Sequence, residues 1–473
     1  MEQKVTKKIQ IRLDDPETRA VWNTALEAKR EYESWPAWKR GEVTTKEKMM
    51  DYAFDGHDQA AAETLFTQIR DLSANGPFHP GVTRPSYSTI ETATLYALET
   101  FARDAGLRTL YDSVGNYQFE LPGMTPDPAI WIGSHVDSVP QGGNYDGLAG
   151  VIGGLLCLRK LKQRGITPPR QVRVVAFRGE ESAWFGIPYI GAKALLGKLT
   201  QEDLARGLLR GGEPLREHMK NCGAAVDMIA KGIPHIEPSR IAEFWELHIE
   251  QGPVLVDEKK PVGIVTAIRG NVRHADIQIV GLEGHSGTVP RELRNDAVFA
   301  FADFITGLDD GWAIAADCGN DLVVTCGIVE TDATVHGITR IPGNVRFCLE
   351  WRSQSAAVLD NFWKFIDEIR SAIETRRGVT FVFDKPVRTP PAQLDDKLAT
   401  RAFAACANLD LPTRRMPSGA GHDAAIFAAQ GIPTGMIFVR NENGSHNPRE
   451  EMDMDDFMRG VEVLYKVVTA RVS

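Results

Sequence analysis

The chain has few of the features that mark secreted, membrane-spanning or nucleic-acid-binding proteins. Only six of its 473 residues are cysteine (Cys157, Cys222, Cys318, Cys326, Cys348 and Cys406), and no two form a C-x-x-C pair. That scatter argues against a disulfide or zinc-finger framework and for the reduced thiols of a cytoplasmic protein. No stretch approaches the ~18 apolar residues of a membrane span. The opening Met1-Glu2-Gln3-Lys4-Val5-Thr6-Lys7-Lys8 lacks the apolar core of a signal peptide. A basic excess is missing too: the net charge of −9 disfavours nucleic acid and anionic membrane as partners. Internal repeats and low-complexity tracts are absent. What is present is an ordinary globular composition, in a chain longer than one hydrophobic core usually supports, so two domains are expected.

Residues 1–55 read as an N-terminal extension in which Asp15-Pro16-Glu17 starts a helix, Asp serving as cap and Pro suiting the first helical position. Ser88-Thr89-Ile90-Glu91 has the form of a capping box. It predicts a helix with Leu95, Leu98 and Phe101 on its apolar face, ending near Gly106. Apolar strands over 129–136, 171–177 and 242–247 then alternate with helical patterns such as 147–162. This alternation predicts a layered α/β domain, which binds ligands at the carboxyl ends of its strands. From about residue 267 the order becomes β-α-β-β-α-β, with strands over 272–280, 322–329, 345–351 and 379–383 and helices over 295–308 and 355–376. A small ferredoxin-like unit inserted into the larger domain has that order. Helix–strand alternation resumes after residue 387, with a strand over 434–439 and a helix over 454–472. The expected architecture is an α/β domain of residues 56–266 and 388–473, interrupted by residues 267–387.

Carboxylates and imidazoles collect at the ends of these strands. Gly133-Ser134-His135-Val136-Asp137, then Asp146-Gly147, is answered by Gly179-Glu180-Glu181. Zinc and similar cations take such mixed nitrogen and oxygen ligands. Neighbouring residues of a strand point to opposite faces, but at a frayed strand end both glutamates can approach one cleft. One could hold metal while the other moves protons. Of eleven histidines, His57, His79, His218, His235, His274 and His336 read as structural. Five others stand in small-residue or acidic contexts that helices and strands do not need: His135 (GSHVD), His248 (LHIEQG), His285 (GHSGT), His422 (GAGHDA) and His446 (GSHNP).

The ordered blocks GSHVDSVPQGGNYDG, RGEESAWFG, LHIEQGP, GHSGTVP, SGAGHDA and SHNPRE resemble the zinc-dependent amidase/carbamoylase branch of the aminoacylase-like metallopeptidases. That branch includes N-carbamoyl-L-amino acid hydrolases, β-ureidopropionases and allantoate amidohydrolases. The similarity runs from about residue 56 to the C-terminus. It implies two divalent metal ions per subunit, zinc first, with manganese, cobalt or nickel as alternatives. His135 and His248 resemble ligands of the first ion, Glu181 and His446 ligands of the second, and Asp146 the bridging carboxylate. Three protein ligands per ion leave a position open for water. Asp137, two residues past His135, is expected to accept that ligand's other imidazole N–H.

Glu180 resembles the general base that takes a proton from the attacking water and returns it to the leaving nitrogen. His285 resembles an oxyanion donor, which in the family comes from the partner subunit of a dimer, and 267–387 would be the lid and dimerisation domain. Arg352 matches an arginine that pairs with the substrate carboxylate, where a bidentate fork favours arginine over lysine. Arg273 and His422 resemble further substrate-binding positions. Two departures bear on the substrate. Thr339 stands where the family commonly has asparagine, three residues before the proline of Ile341-Pro342-Gly343, and offers a hydroxyl in place of an amide. Trp184 replaces a frequent arginine, either as an aromatic pocket wall or as core packing.

The expected protein is a cytoplasmic homodimer with shared active sites. It would cleave the C–N bond of an N-carbamoyl (ureido) amino acid or related linear amide, using hydroxide held between two metal ions. The substrate would be a small amino-acid-like molecule with a carboxylate, and neither nucleic acid nor membrane is an expected partner. The alternatives are a dipeptidase or N-acyl amino acid deacylase on the same scaffold, or a catalytically silent metal-binding or assembly protein. Glu180 beside all five ligand positions counts against a silent protein, which has no use for a base.

Overall fold

A computed structural model describes residues 52–74 and 80–470. The helix start expected at Asp15-Pro16-Glu17, and His79, lie outside them. The described residues form two compact units, one of Arg269–Pro391 and one of the residues on either side of that segment.

The flanking unit is built on a nine-stranded sheet. Helices α1 (Gly56–Ser73) and α2 (Thr89–Asp104) lead into the antiparallel pair β1 (Arg108–Tyr111) and β2 (Tyr117–Leu121). There follow β3 (Thr125–His135), α3 (Leu148–Gln163), β4 (Arg170–Phe177), the short helix α4 (Ile190–Leu195), β5 (Ile241–Ile249) and β6 (Val262–Ile268). Side chains alternate across β3: Ile130 and Ile132 join the core under α1–α3, while Ala129 and Trp131 join a second core on the other face. Burial on both faces explains why these strands read as unbroken apolar runs.

The inserted unit has its own core around Phe304, Phe347, Trp351 and Ile366. It runs β7 (Gly270–Val280), β8 (Gly284–His285), α5 (Ala297–Asp317), β9 (Val323–Thr325), β10 (Val329–Glu330), β11 (Arg340–Ile341), β12 (Asn344–Ser353), α6 (Ala356–Arg377), β13 (Thr380–Val382) and β14 (Val387–Thr389). The main sheet is antiparallel, in the order β10-β12-β7-β13. The single strand expected over 322–329 is two. Thr325 pairs with Glu350 but Val329 with Phe347, so one extra residue bulges between them. The helix expected to stop at 308 runs on to Asp317 through Gly311, where any side chain would overlap the Phe365 ring of α6.

The chain then returns to the first unit with β15 (Ala392–Gln393), α7 (Asp396–Asn408), β16 (Thr413–Ser418), α8 (Asp423–Ala428), β17 (Thr434–Val439) and α9 (Met454–Thr469). Strands β4, β3, β5 and β17 are neighbours and mutually parallel. Their carboxyl ends therefore open along one edge of the sheet, the edge where α/β sheets bind ligands.

Candidate active site

Each of those four parallel strands delivers a candidate functional residue at or beyond the end where it stops. His135 is the last residue of β3, Glu180 and Glu181 follow β4, His248 is next to last in β5, and His446 lies in the loop after β17. Asp146 precedes α3 and joins them. Two groups of potential metal-holding side chains share it: His135, Asp146 and His248, and Asp146, Glu181 and His446.

In the first group the hydrogen bonds fix what each ring offers. His135 Nδ1 lies 3.1 Å from the Asp137 main-chain oxygen, and His248 Nδ1 lies 2.9 Å from that of Ile249. A carbonyl only accepts, so each Nδ1 carries a proton and each Nε2 faces Asp146, with a lone pair free for a metal whenever the ring is neutral. The two Nε2 atoms are 3.5 Å apart, at 3.4 Å (His135) and 3.2 Å (His248) from Asp146 Oδ1. That oxygen is buried and has no hydrogen-bond partner among the described residues. Three electron-pair donors so close repel one another unless a cation sits among them. The spacing fits a metal: bonds of ~2.0–2.1 Å in a tetrahedron put ligand atoms about 3.3–3.4 Å apart.

The second group has the same spacing, with His446 Nε2 at 3.4 Å from Asp146 Oδ2 and 3.3 Å from Glu181 Oε1. His446 is half exposed, and its φ of 60° is in the left-handed region, a strain that surrounding bonds must hold in place. Burial opposes ionisation of Asp146, but the three imidazoles around it outweigh that and hold its carboxyl well below the usual range. Asp146 and Glu181, the former more, push His446 up to about 11. Without a metal, then, the cluster takes up protons in its place.

Glu180 stands apart from both triads. One oxygen is 3.9 Å from His135 Nε2. Burial raises its carboxyl well above the ordinary value, against the pull of His135. A carboxyl in that condition can hold a proton between two transfers. His135 with both glutamates forms another group within ligand distance, so Glu180 is near enough to serve whatever the triads hold.

Asp137 meets His135 differently from the expectation. The ring N–H is nearer its main-chain oxygen, and its carboxylate Oδ1 is 3.4 Å away. The carboxylate instead accepts from Glu180 N (3.0 Å), Glu181 N (3.1 Å) and Ser86 Oγ (2.6 Å), which ties the glutamate pair to the end of β3. His422 is buried with Nε2 2.8 Å from Ser418 Oγ, and burial together with nearby His248 keeps it well below its ordinary pKa, hence neutral. Glu246 lies within ligand distance of His248 and His422, but its oxygens already accept from Ser134 Oγ (2.9 Å) and Ala424 N (2.8 Å). Trp184 is half-buried against the second core and donates from Nε1 to Ser138 O at 2.9 Å.

The remaining expected residues belong to the inserted unit. His285 is exposed on β8, where Arg340 of β11 is its partner, and Thr339 immediately precedes that strand. Arg352 and Arg273, on the paired strands β12 and β7, both contact Glu350, Arg352 at 2.9 Å.

Three supporting residues escaped the sequence reading. Ser88 caps α2 as expected, but Glu91 does not return to the Ser88 N–H. Its buried carboxylate accepts from Tyr87 N (2.8 Å), Gly179 N (3.0 Å) and Arg178 Nη1 (2.6 Å). The capping pattern hid a residue that braces the glutamate loop. Arg178 sits inside the RGEES block, yet sequence alone says nothing of its burial. Arg84, also buried, donates to Val136 O (2.7 Å) and Asn144 Oδ1 (3.0 Å), on the segments bearing His135 and Asp146. No pattern announced it.

Strand-end carboxylates and imidazoles around a shared aspartate define a metal-dependent hydrolase. Residues 131–470 match peptidase family M20/M25/M40, and the chain belongs to that family. It is 34% identical over 413 residues to an N-carbamoyl-L-amino acid amidohydrolase of Geobacillus stearothermophilus, covering 86% of this chain and 97% of that protein. It is 33% identical over 386 residues to an allantoate amidohydrolase of Escherichia coli, covering 81% and 91%. Among solved structures, a hydantoinase/carbamoylase family amidase from Burkholderia multivorans superposes with a TM-score of 0.79 at 27% identity, covering 87% of this chain and 97% of that one. The chain is an enzyme, a hydrolase of carbon–nitrogen bonds.

Proposed function

We propose that the enzyme hydrolyses the ureido group of an N-carbamoyl amino acid or a closely related small molecule, with two divalent ions shared across Asp146. One observation carries this: five residues converge in two triads that share Asp146, while Glu180, beside them, is left out of both. The names of the two relatives above support the ureido class, since an N-carbamoyl amino acid and allantoate both carry that group.

His135, Asp146 and His248 would hold one ion, and Asp146, Glu181 and His446 the other, zinc suiting this mixed donor set with manganese as an alternative. When bound, such ions polarise a carbonyl and acidify a water. Glu180 takes the proton released as that water attacks and delivers it to the departing nitrogen. The bond formed is carbon to oxygen and the bond broken is carbon to nitrogen, which leaves a carbamate. Its own carbon–nitrogen bond then breaks with loss of carbon dioxide, so a carbamoyl substrate yields amino acid, ammonia and carbon dioxide. Asp137 keeps Glu180 and Glu181 in register by accepting both main-chain N–H groups. Neutral His422 would donate to or accept from a polar substrate group.

For the inserted unit we assign His285 to the oxyanion and Arg352 to the substrate carboxylate, with Arg273 and Thr339 as further contacts, in a homodimer with shared sites. The matching GHSGT block and the strand position of Arg352 support these roles. None of the six cysteines forms a disulfide among the described residues, and no described helix is long and apolar enough to cross a membrane. The test is ammonia and amine release from a panel of N-carbamoyl amino acids, N-acetyl amino acids and dipeptides, using metal-loaded protein. Ammonia from the carbamoyl compounds is expected. Turnover of only the acetyl compounds or dipeptides would overturn the ureido assignment.

A further inference from the structure

Glu450 has no part in the chemistry above, yet it is the residue on which the two metal-bearing segments meet. Its buried Oε1 accepts from Tyr145 N (2.8 Å) and Asp146 N (3.2 Å), and its Oε2 accepts from Ser445 Oγ (2.6 Å). Ser445, which precedes His446, also reaches Asp146 Oδ2 at 2.6 Å. One carboxylate thus ties the main chain of the shared aspartate to the loop carrying the exposed histidine. The loop is closed behind it by paired main-chain bonds between Glu442 and Glu451 (2.7 and 3.2 Å) and by Asn443 Nδ2 donating to Arg449 O (2.9 Å). Space for the carboxylate is made by Gly143, where a side-chain carbon would overlap the Glu450 carboxyl group.

We propose that Glu450 is a positioning residue that sets the spacing between Asp146 and His446, and so the affinity for the second ion. His446 is the ligand that needs such help. It is half exposed and its backbone is strained, whereas His135 and His248 are buried on strands and each anchored by a main-chain carbonyl. Without Glu450 the loop is tied to the Asp146 segment only by the Ser445 hydroxyl on Asp146 Oδ2, and the triad of Asp146, Glu181 and His446 loosens first. The triad of His135, Asp146 and His248 keeps its strand-borne rings. The proposal rests on the two-ion assignment, and the experiment separates the two.

Metal-free protein is titrated with zinc chloride by calorimetry, with metal content checked by elemental analysis and folding by near-UV circular dichroism. Wild type is expected to take two ions. Glu450→Ala should keep the tighter ion within about threefold and bind the weaker one roughly 10–100-fold less well, the usual effect of removing a group that orients a ligand. Gly143→Ala should do the same by filling the carboxylate's place. Glu450→Gln should restore the second ion to within a few-fold, because its amide can accept from the two N–H groups and donate to Ser445. If Glu450→Ala does not fold, Glu450→Asp, one methylene shorter, carries the test. Equal loss at both ions, or no loss at either, would overturn the positioning role. A wild type that takes fewer than two ions would overturn the two-ion assignment instead.

Discussion

In the unit built on the parallel strands, the charges that brace the site are buried and hydrogen-bonded, whereas in the inserted unit the charges that matter lie at the surface and lean on one another. Glu91, Asp137, Arg178 and Glu246 are all buried, and each is held by main-chain groups or a side chain at 2.6–3.1 Å. Arg273 and Arg352, by contrast, share one glutamate, with 51% and 29% of their side chains exposed, and His285 is exposed on a two-residue strand. The difference teaches where precision is needed. On the proposed roles, most groups that would hold metal and move protons are fixed in advance, since a small misplacement there costs rate. Groups that recognise a carboxylate can stay solvated and exchange partners when substrate arrives.

Four substitutions would break or sharpen that contrast. Glu180→Gln should carry the largest effect, lowering kcat by roughly 10²–10⁴-fold as expected for loss of a general base, with metal content unchanged. Near wild-type turnover would remove Glu180 from the mechanism. Next, Glu91→Ala leaves the Arg178 guanidinium buried without its partner, a loss of about 3–5 kcal/mol. Denaturant unfolding measures this, and a change under 1 kcal/mol would mean that the pair does not brace the glutamate loop. Arg352→Ala should raise KM roughly 10–100-fold, the scale of a lost charged hydrogen bond, while leaving unfolding and metal content alone. A kcat effect without a KM effect would contradict its role in substrate binding. Smallest is Trp184→Phe, which keeps the packing and loses the bond to Ser138 O, about 0.5–1.5 kcal/mol of stability.

Sequence patterns carried far in the parallel-sheet unit. Strand β17 has the expected limits, and β3, β4 and β5 run within a few residues of theirs, because burial on both faces writes a continuous apolar run into each. Patterns failed where a residue answers to something distant in sequence. Glu91 fits a local cap but serves Gly179 and Arg178. Asp137 sits two residues from His135 but spends its carboxylate on the main chain of Glu180 and Glu181. The bulge between β9 and β10 depends on a partner strand that the apolar run over 322–329 does not reveal. Ligand candidates could be found one by one from small-residue contexts. Their pairing into two triads through Asp146 required the fold, since His135 and His446 are more than three hundred residues apart.

The central claim is that the cluster around Asp146 is built for two metal ions, with protons filling it when they are absent. His446, raised to about 11 by Asp146 and then Glu181, carries a proton at neutral pH in the metal-free protein, and an entering ion must displace it. Zinc affinity should therefore rise with pH and fall as the solution is acidified. The direct measurement is calorimetric titration of metal-free protein with zinc at pH 7, in two buffers of different ionisation enthalpy. Two ions per chain, with net proton release on filling the weaker site, is the predicted result. Binding of one ion or none, or of two ions with no proton released, would contradict it.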